Sequence, residues 1–149
     1  MQTIQFSINI NADVQKVWST MLTDSTYREW TKAFHESSYF SGSWDEGSEI
    51  RFLGVDEKGE LQGMYSRIAK NIPLQFISIE HLGMVSNGLV DTTSDEVKKW
   101  APSFENYTFT VDGDSTIVTV DIDVSDEYKE MFEGMWPNAL KALKAICER

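Results

Sequence analysis

The sequence predicts an α+β fold: a curved antiparallel sheet of about six to seven strands wrapped around one long C-terminal α-helix, with two short helices after the first strand. Three observations predict it. From Ser125 to Arg149, the residues Tyr128, Phe132, Met135, Ala139, Leu143 and Ile146 recur at steps of three and four, which places them on one helix face. From Ser38 to Val124 the apolar period changes to two, the period of a strand. The strand-like runs are separated by short turn segments, and short turns join antiparallel neighbours. A chain of 149 residues suits a single domain, residues 1–149, with a core of useful size.

Each element follows from its own residues. Ile4, Phe6, Ile8 and Ile10 alternate with Gln5, Ser7 and Asn9, a half-buried strand. Asn11 is then the expected N-cap of a helix whose apolar face is Val14, Val17, Trp18, Met21 and Leu22. Asp24 or Ser25 caps a second short helix that reaches Phe34 and carries Trp30 near its end. Strands are expected at Ser38 to Phe40, Glu49 to Val55 and Leu61 to Ala69, with Asp56 to Gly59 as a turn and Asn71-Ile72-Pro73 as a break. Leu74 to Leu82 is apolar on both faces and therefore central. Gly83 to Ser103 is the least regular stretch, with a turn at Ser86-Asn87-Gly88 and one helical turn from Asp95 to Trp100, stopped by Pro102. Tyr107 to Val111 and Ile117 to Val124 flank the hairpin signal Asp112-Gly113-Asp114. Ser125 caps the last helix, and Asp126, Glu127 and Glu130 suit the positive end of its dipole.

Composition narrows the function classes. Thirteen Lys and Arg against 24 Asp and Glu give a net charge of −11, which repels phosphate backbones and anionic headgroups. Nucleic-acid and membrane-surface roles are disfavoured. No segment has the apolar length of a bilayer span, and the first residues lack a signal-peptide pattern, so a soluble cytoplasmic protein is expected. The single cysteine, Cys147, allows no internal disulfide. Asn106-Tyr107-Thr108 matches the N-glycosylation pattern by chance on this reading.

Several motifs together resemble a known family. They are Val17-Trp18 in the first helix, Trp30 closing the second, and Glu46-Gly47-Ser48 before the strand with Phe52. Ile68 to Pro73, His81-Leu82-Gly83, Glu105-Asn106-Tyr107-Thr108 and the run from Trp136-Pro137 to Leu143-Lys144 complete the set. On these the chain resembles the START-like, or birch-pollen-allergen-like (SRPBCC), helix-grip superfamily. Within it, the chain is similar to the branch of the C-terminal domain of the activator of the ninety-kilodalton heat-shock protein's ATPase. The resemblance spans the whole chain. Ala12 departs from it, standing where relatives often carry proline. The resemblance implies a cavity between sheet and last helix that takes apolar molecules. It also implies kinship with co-chaperone domains and with cyclase- or dehydratase-type enzymes. Fold alone does not choose among these.

The residues expected to line such a cavity are Trp30, Phe52, Tyr65, Arg67, Phe76, His81, Tyr107, Phe109, Met131, Met135 and Trp136. Pro137 lies in mid-helix, removes a backbone donor and crowds the Glu133 carbonyl, so a kink is expected that opens space beneath Met131, Met135 and Trp136. Met64, Met84, Met131 and Met135 suit either an adaptable binding surface or an ordinary core. Glu80 and His81 are adjacent on a strand and cannot both point inward. An inward His81 could orient a ligand carbonyl or shuttle a proton, although a hydrogen-bonded structural role is the commoner one. No paired-histidine spacing supports a metal site, no phosphate loop or nucleophile elbow is present, and Cys147 lies near a terminus expected to fray. No cofactor and no catalytic residue is assigned. The expected function is binding of a small apolar or amphipathic molecule. The alternatives are a chaperone-activator-like protein-interaction module with an acidic face, and a cyclase- or hydratase-type enzyme using His81.

Overall fold

A computed structural model describes residues 1–149. Its strands are β1 (Gln2–Ile10), β2 (Tyr39–Gly42), β3 (Glu49–Val55), β4 (Leu61–Ile72), β5 (Phe76–Ser86), β6 (Leu89–Asp91), β7 (Ser103–Asp112) and β8 (Ser115–Val124). Its helices are α1 (Val14–Leu22), α2 (Asp24–Trp30), α3 (Asp95–Lys98) and α4 (Asp126–Glu148), with one 3-10 turn at Thr31–Ala33. One eight-stranded antiparallel sheet runs β1-β8-β7-β5-β4-β3-β2, and β6 pairs with the far end of β5. β5 is central, as its two-sided apolar pattern predicts. The α+β class and the long closing helix are those expected from the sequence.

The clean alternation of β8 becomes burial: Val118, Val120, Ile122 and Val124 are buried while Thr119, Asp121 and Asp123 are only partly so. On the other face Thr3 and Gln5 donate hydrogen bonds to Asp123 and Asp121 across the β1–β8 pair. The inner face packs against α1 through the edge-on contact of Trp18 with Phe109, ring centroids 5.0 Å apart, and against the second half of α4.

Several local expectations are corrected. The side chain that caps α1 is Asp13, accepting from the Lys16 amide at 2.8 Å, not Asn11. Asn11 sits two residues earlier, where its own amide donates to Glu148 of α4. Thr23, rather than Asp24 or Ser25, occupies the cap position of α2. Ser125 precedes α4 as expected but its hydroxyl makes no capping bond. β4 runs on through Asn71 and Ile72, because an extra residue at Ala69 shifts its register with β5 and the pairing then resumes at Lys70 with Ser78.

The C-terminus is docked, not frayed. Cys147 is buried, Lys144 donates to the Asn9 carbonyl and to Glu148, and Arg149 pairs with Glu29. Residues on α4 therefore anchor to β1, α1 and α2 at this end. The helix is continuous through Pro137, and burial changes at that point. Every fully buried residue of α4 lies from Trp136 onward: Trp136, Ala139, Leu140, Leu143 and Cys147. Before Pro137, Tyr128 and Met131 are exposed. The first half of the helix therefore stands over the sheet without filling the space beneath it.

Candidate functional site

The space beneath that half-helix is a cavity of about 650 Å³, within the size range of small-molecule sites. α4 contributes Tyr128, Met131, Phe132, Met135 and Trp136 as its roof. Trp136 is the inner end, packed at 4.8 Å edge-on against Phe34 and at 6.0 to 6.4 Å from Trp30, Tyr107 and Phe6. Tyr27 and Trp30 of α2 form one wall, and Trp30 is fixed by donating its indole N–H to the Met21 carbonyl. The floor comes from β3, β4, β5 and β7, with Phe52, Met64, His81, Met84 and Tyr107 among its residues.

A register shift builds this floor. Met64 pairs with Met84 but Ser66 pairs with His81, so β5 carries one extra residue, Leu82. The bulge reverses the side-chain parity of β5. His81 and Met84, three residues apart, consequently both line the cavity. Gly83 permits the bulge: a Cβ there would lie 2.2 Å from the Asp91 carbonyl oxygen of β6.

The floor holds one polar chain. The Ser66 hydroxyl and His81 Nδ1 are 2.7 Å apart, His81 Nε2 and Glu105 Oε1 are 3.0 Å apart, and the Tyr107 hydroxyl donates to Glu105 Oε2. The Tyr107 donor makes Glu105 an acceptor, so the ring proton of a neutral His81 belongs on Nε2, where it donates to the carboxylate. Nδ1 is then free to accept from Ser66. Burial first, and then the Glu105 charge, raise both the Tyr27 and the Tyr107 hydroxyls well above the ordinary phenol range. Both phenols thus remain protonated donors at neutral pH.

Of the residues expected to line the cavity, Trp30, Phe52, His81, Tyr107, Met131, Met135 and Trp136 do so. Tyr65, Arg67, Phe76 and Phe109 do not. Tyr65 and Arg67 alternate with inward-facing Met64, Ser66 and Ile68, so they face outward, where Tyr65 donates to Glu49 and Arg67 pairs with Glu80 at 2.6 Å. Phe76 alternates with buried Ile77 and lies opposite Thr108. Phe109 points inward but is covered by Trp18 of α1. Glu80 and His81 do face opposite ways.

Glu105, Tyr27 and Ser66 belong to the site and were not among the expected residues. The strand expected to start at Tyr107 begins at Ser103, so Glu105 lay outside the expected strand. The available signal was parity: Glu105 alternates in step with Tyr107 and Phe109.

No protein-family model matches the chain, and no curated protein matches it. Solved structures do. Protein NE0264 from Nitrosomonas europaea aligns with a TM-score of 0.72 at 11% identity, covering 98% of this chain and 94% of that one. ChR145 from Cytophaga hutchinsonii aligns with a TM-score of 0.71 at 18% identity, covering 99% and 94%. DynU16, a protein of the dynemicin biosynthetic locus, aligns with a TM-score of 0.72 at 13% identity, covering 99% of this chain and 48% of its own. At these identities the likeness is one of fold.

Proposed function

We propose that the chain is a START-like helix-grip protein that binds a small apolar or amphipathic molecule between the sheet and the first half of α4. The observation that carries this is the cavity itself. Its walls are aromatic and Met side chains, its one interior polar chain is Ser66–His81–Glu105–Tyr107, and Pro137 marks where the helix stops packing and starts roofing. Apolar walls supply affinity by removing ligand surface from water, and a small polar group fixes orientation. Met64, Met84, Met131 and Met135 let the walls adapt to the ligand's shape.

Thermal unfolding against a library of lipids and metabolites tests the reading. A ligand present at about a hundred times its Kd raises stability by about 2.7 kcal/mol. Met135→Arg, which places a charged side chain in the cavity, should abolish the shift. A library without any stabilising member, or one whose hits shift Met135→Arg equally, would overturn the proposal.

A second reading, acid–base catalysis, is favoured by one observation: His81 lies between Ser66 and Glu105 within hydrogen-bond reach of both. A carboxylate behind an imidazole holds its tautomer and stabilises the imidazolium formed when it takes a proton. Turnover of an enolisable carbonyl probe that disappears in His81→Gln would support this reading. Equal solvent-deuterium exchange with and without the protein would remove it.

A further inference from the structure

The ligand-cavity reading leaves the ligand's chemistry open, and the charges around the cavity narrow it. None of the 13 Lys and Arg side chains lines the cavity, whereas the acidic residues Asp56 and Glu105 do. The arginines nearest in sequence to the floor residues, Arg51 and Arg67, lie on the outer face, beside Tyr65 and Glu80. Glu105 is the interior charge. Each of its oxygens accepts one hydrogen bond, from His81 and from Tyr107, which leaves acceptor capacity on both. Its side chain keeps 21% of its surface, and no Lys or Arg pairs with it.

The aromatic rings nearby suit the same partner. Phe52 meets His81 edge-on at 5.9 Å, and Tyr27 lies 6.3 Å from Phe52. Both rings line the cavity with Tyr107, and ring faces attract cations. Features of opposite sign around the cavity are the N-terminal end of α4, whose dipole Asp126 and Glu127 in its first turn offset, and Met1, which carries the α-amino group. The net charge of −11 adds a field that concentrates cations and opposes anions.

We infer that the cavity selects a cationic amphipath, an apolar body carrying a protonated amine, and that Glu105 receives the ammonium while Tyr27 and Phe52 flank it. Fatty acids and other anionic amphipaths are disfavoured by the same arrangement. The inference rests on the ligand-cavity reading and adds to it the sign of the ligand's head.

Three probes with the same chain and different heads test it: decylamine, decanol and decanoate, each titrated below its micelle concentration and followed by calorimetry. Decylamine should bind about tenfold or more tighter than decanoate, with decanol between them. In Glu105→Gln the decylamine affinity should fall about tenfold while decanol changes less than about twofold. Asp112→Asn, at the exposed β7–β8 turn, removes one charge from the surface and should leave all three affinities unchanged. Decanoate binding as tightly as decylamine in the unaltered protein overturns the inference, and so does a cation preference that survives in Glu105→Gln. In both cases the ligand cavity itself stands. Failure of all three probes to bind removes the cavity reading and the inference together. The ranking in the unaltered protein decides the matter even if Glu105→Gln fails to fold.

Discussion

His81 on β5 and Glu105 on β7 meet at 3.0 Å, Nε2 to Oε1, on neighbouring strands beneath the roof of α4. The pair joins two strands through their side chains as well as their backbones. It also supplies the partner that two buried groups need, because Glu105 accepts from Tyr107 and His81 pairs with Ser66. Removing the carboxylate leaves the Tyr107 and His81 donors without their acceptor.

Glu105→Ala should therefore destabilise the protein by about 1–3 kcal/mol, the usual penalty for orphaned buried polar groups. Glu105→Gln keeps an acceptor for Tyr107 and should lose less. Ser66→Ala removes a single neutral bond and should cost about 1 kcal/mol. Urea unfolding of the three variants checks the order. Equal stabilities for Glu105→Ala and the unaltered protein would show that the chain of hydrogen bonds is not formed in solution.

The two buried phenols make stability depend on alkaline pH. Tyr27 and Tyr107 are held above the ordinary phenol value of 10.0 in the folded state, chiefly by burial and then by Glu105. In the unfolded chain they ionise near that ordinary value. Above it the folded state holds more protons than the unfolded one, so stability falls as pH rises, and it is fully present below it. Unfolding free energy should thus stay level to about pH 9 and decline beyond about pH 10. Tyr27→Phe and Tyr107→Phe should each flatten that decline. Phenolate absorbance of the native protein should show two tyrosines that titrate only as the protein unfolds.

Trp136 ties the roof to everything below it. It is 3% exposed and meets Phe6, Trp30, Phe34 and Tyr107, so one ring joins β1, α2, the turn after it and β7. Truncation to Ala should cost about 3–5 kcal/mol. Met131, by contrast, is 42% exposed at the mouth, and Met131→Ala should change stability by less than about 0.5 kcal/mol. Thermal unfolding of both distinguishes packing from roofing along the one helix.

The legible parts of the fold were those in which one physical rule governs a long run. Val118 to Val124 alternates without interruption, and α4 keeps its apolar stripe for six turns, so strand, helix and antiparallel order could all be read. The site was legible only where its residues are large and apolar, as with Trp30, Phe52, Met135 and Trp136. Tyr65 and Arg67 were misread because strand parity cannot be assigned until one face is known to be buried. Glu105 was hidden because its strand starts four residues before Tyr107, the first residue of the expected run. Asn11 and Asp13 are both good capping residues, and choosing between them depends on where the chain leaves β1. The bulge at Leu82 leaves no pattern at all, since β5 is apolar on both faces and a skipped residue breaks no alternation.

That bulge carries the last prediction. Gly83 is buried where β6 folds back along β5, and an added Cβ would meet the Asp91 carbonyl oxygen at 2.2 Å and the Thr92 methyl at 2.9 Å. Backbone oxygen cannot rotate aside as a side chain can, so Gly83→Ala must push β6 outward or straighten the bulge. Straightening would restore simple alternation and carry Met84 to the face opposite His81. The substitution should cost about 1–3 kcal/mol. It should also weaken cavity ligands more than an equally destabilising change remote from the cavity, because it moves Met84 as well as loosening the sheet. Gly134→Ala, on the exposed side of α4 where no atom lies within 4 Å of an added Cβ and the backbone is helical, controls for the loss of a glycine. Amide exchange across β5 and β6 gives the readout. Faster exchange confined to Met84–Asp91 in Gly83→Ala is expected, and unchanged protection there would show that the bulge accommodates a side chain.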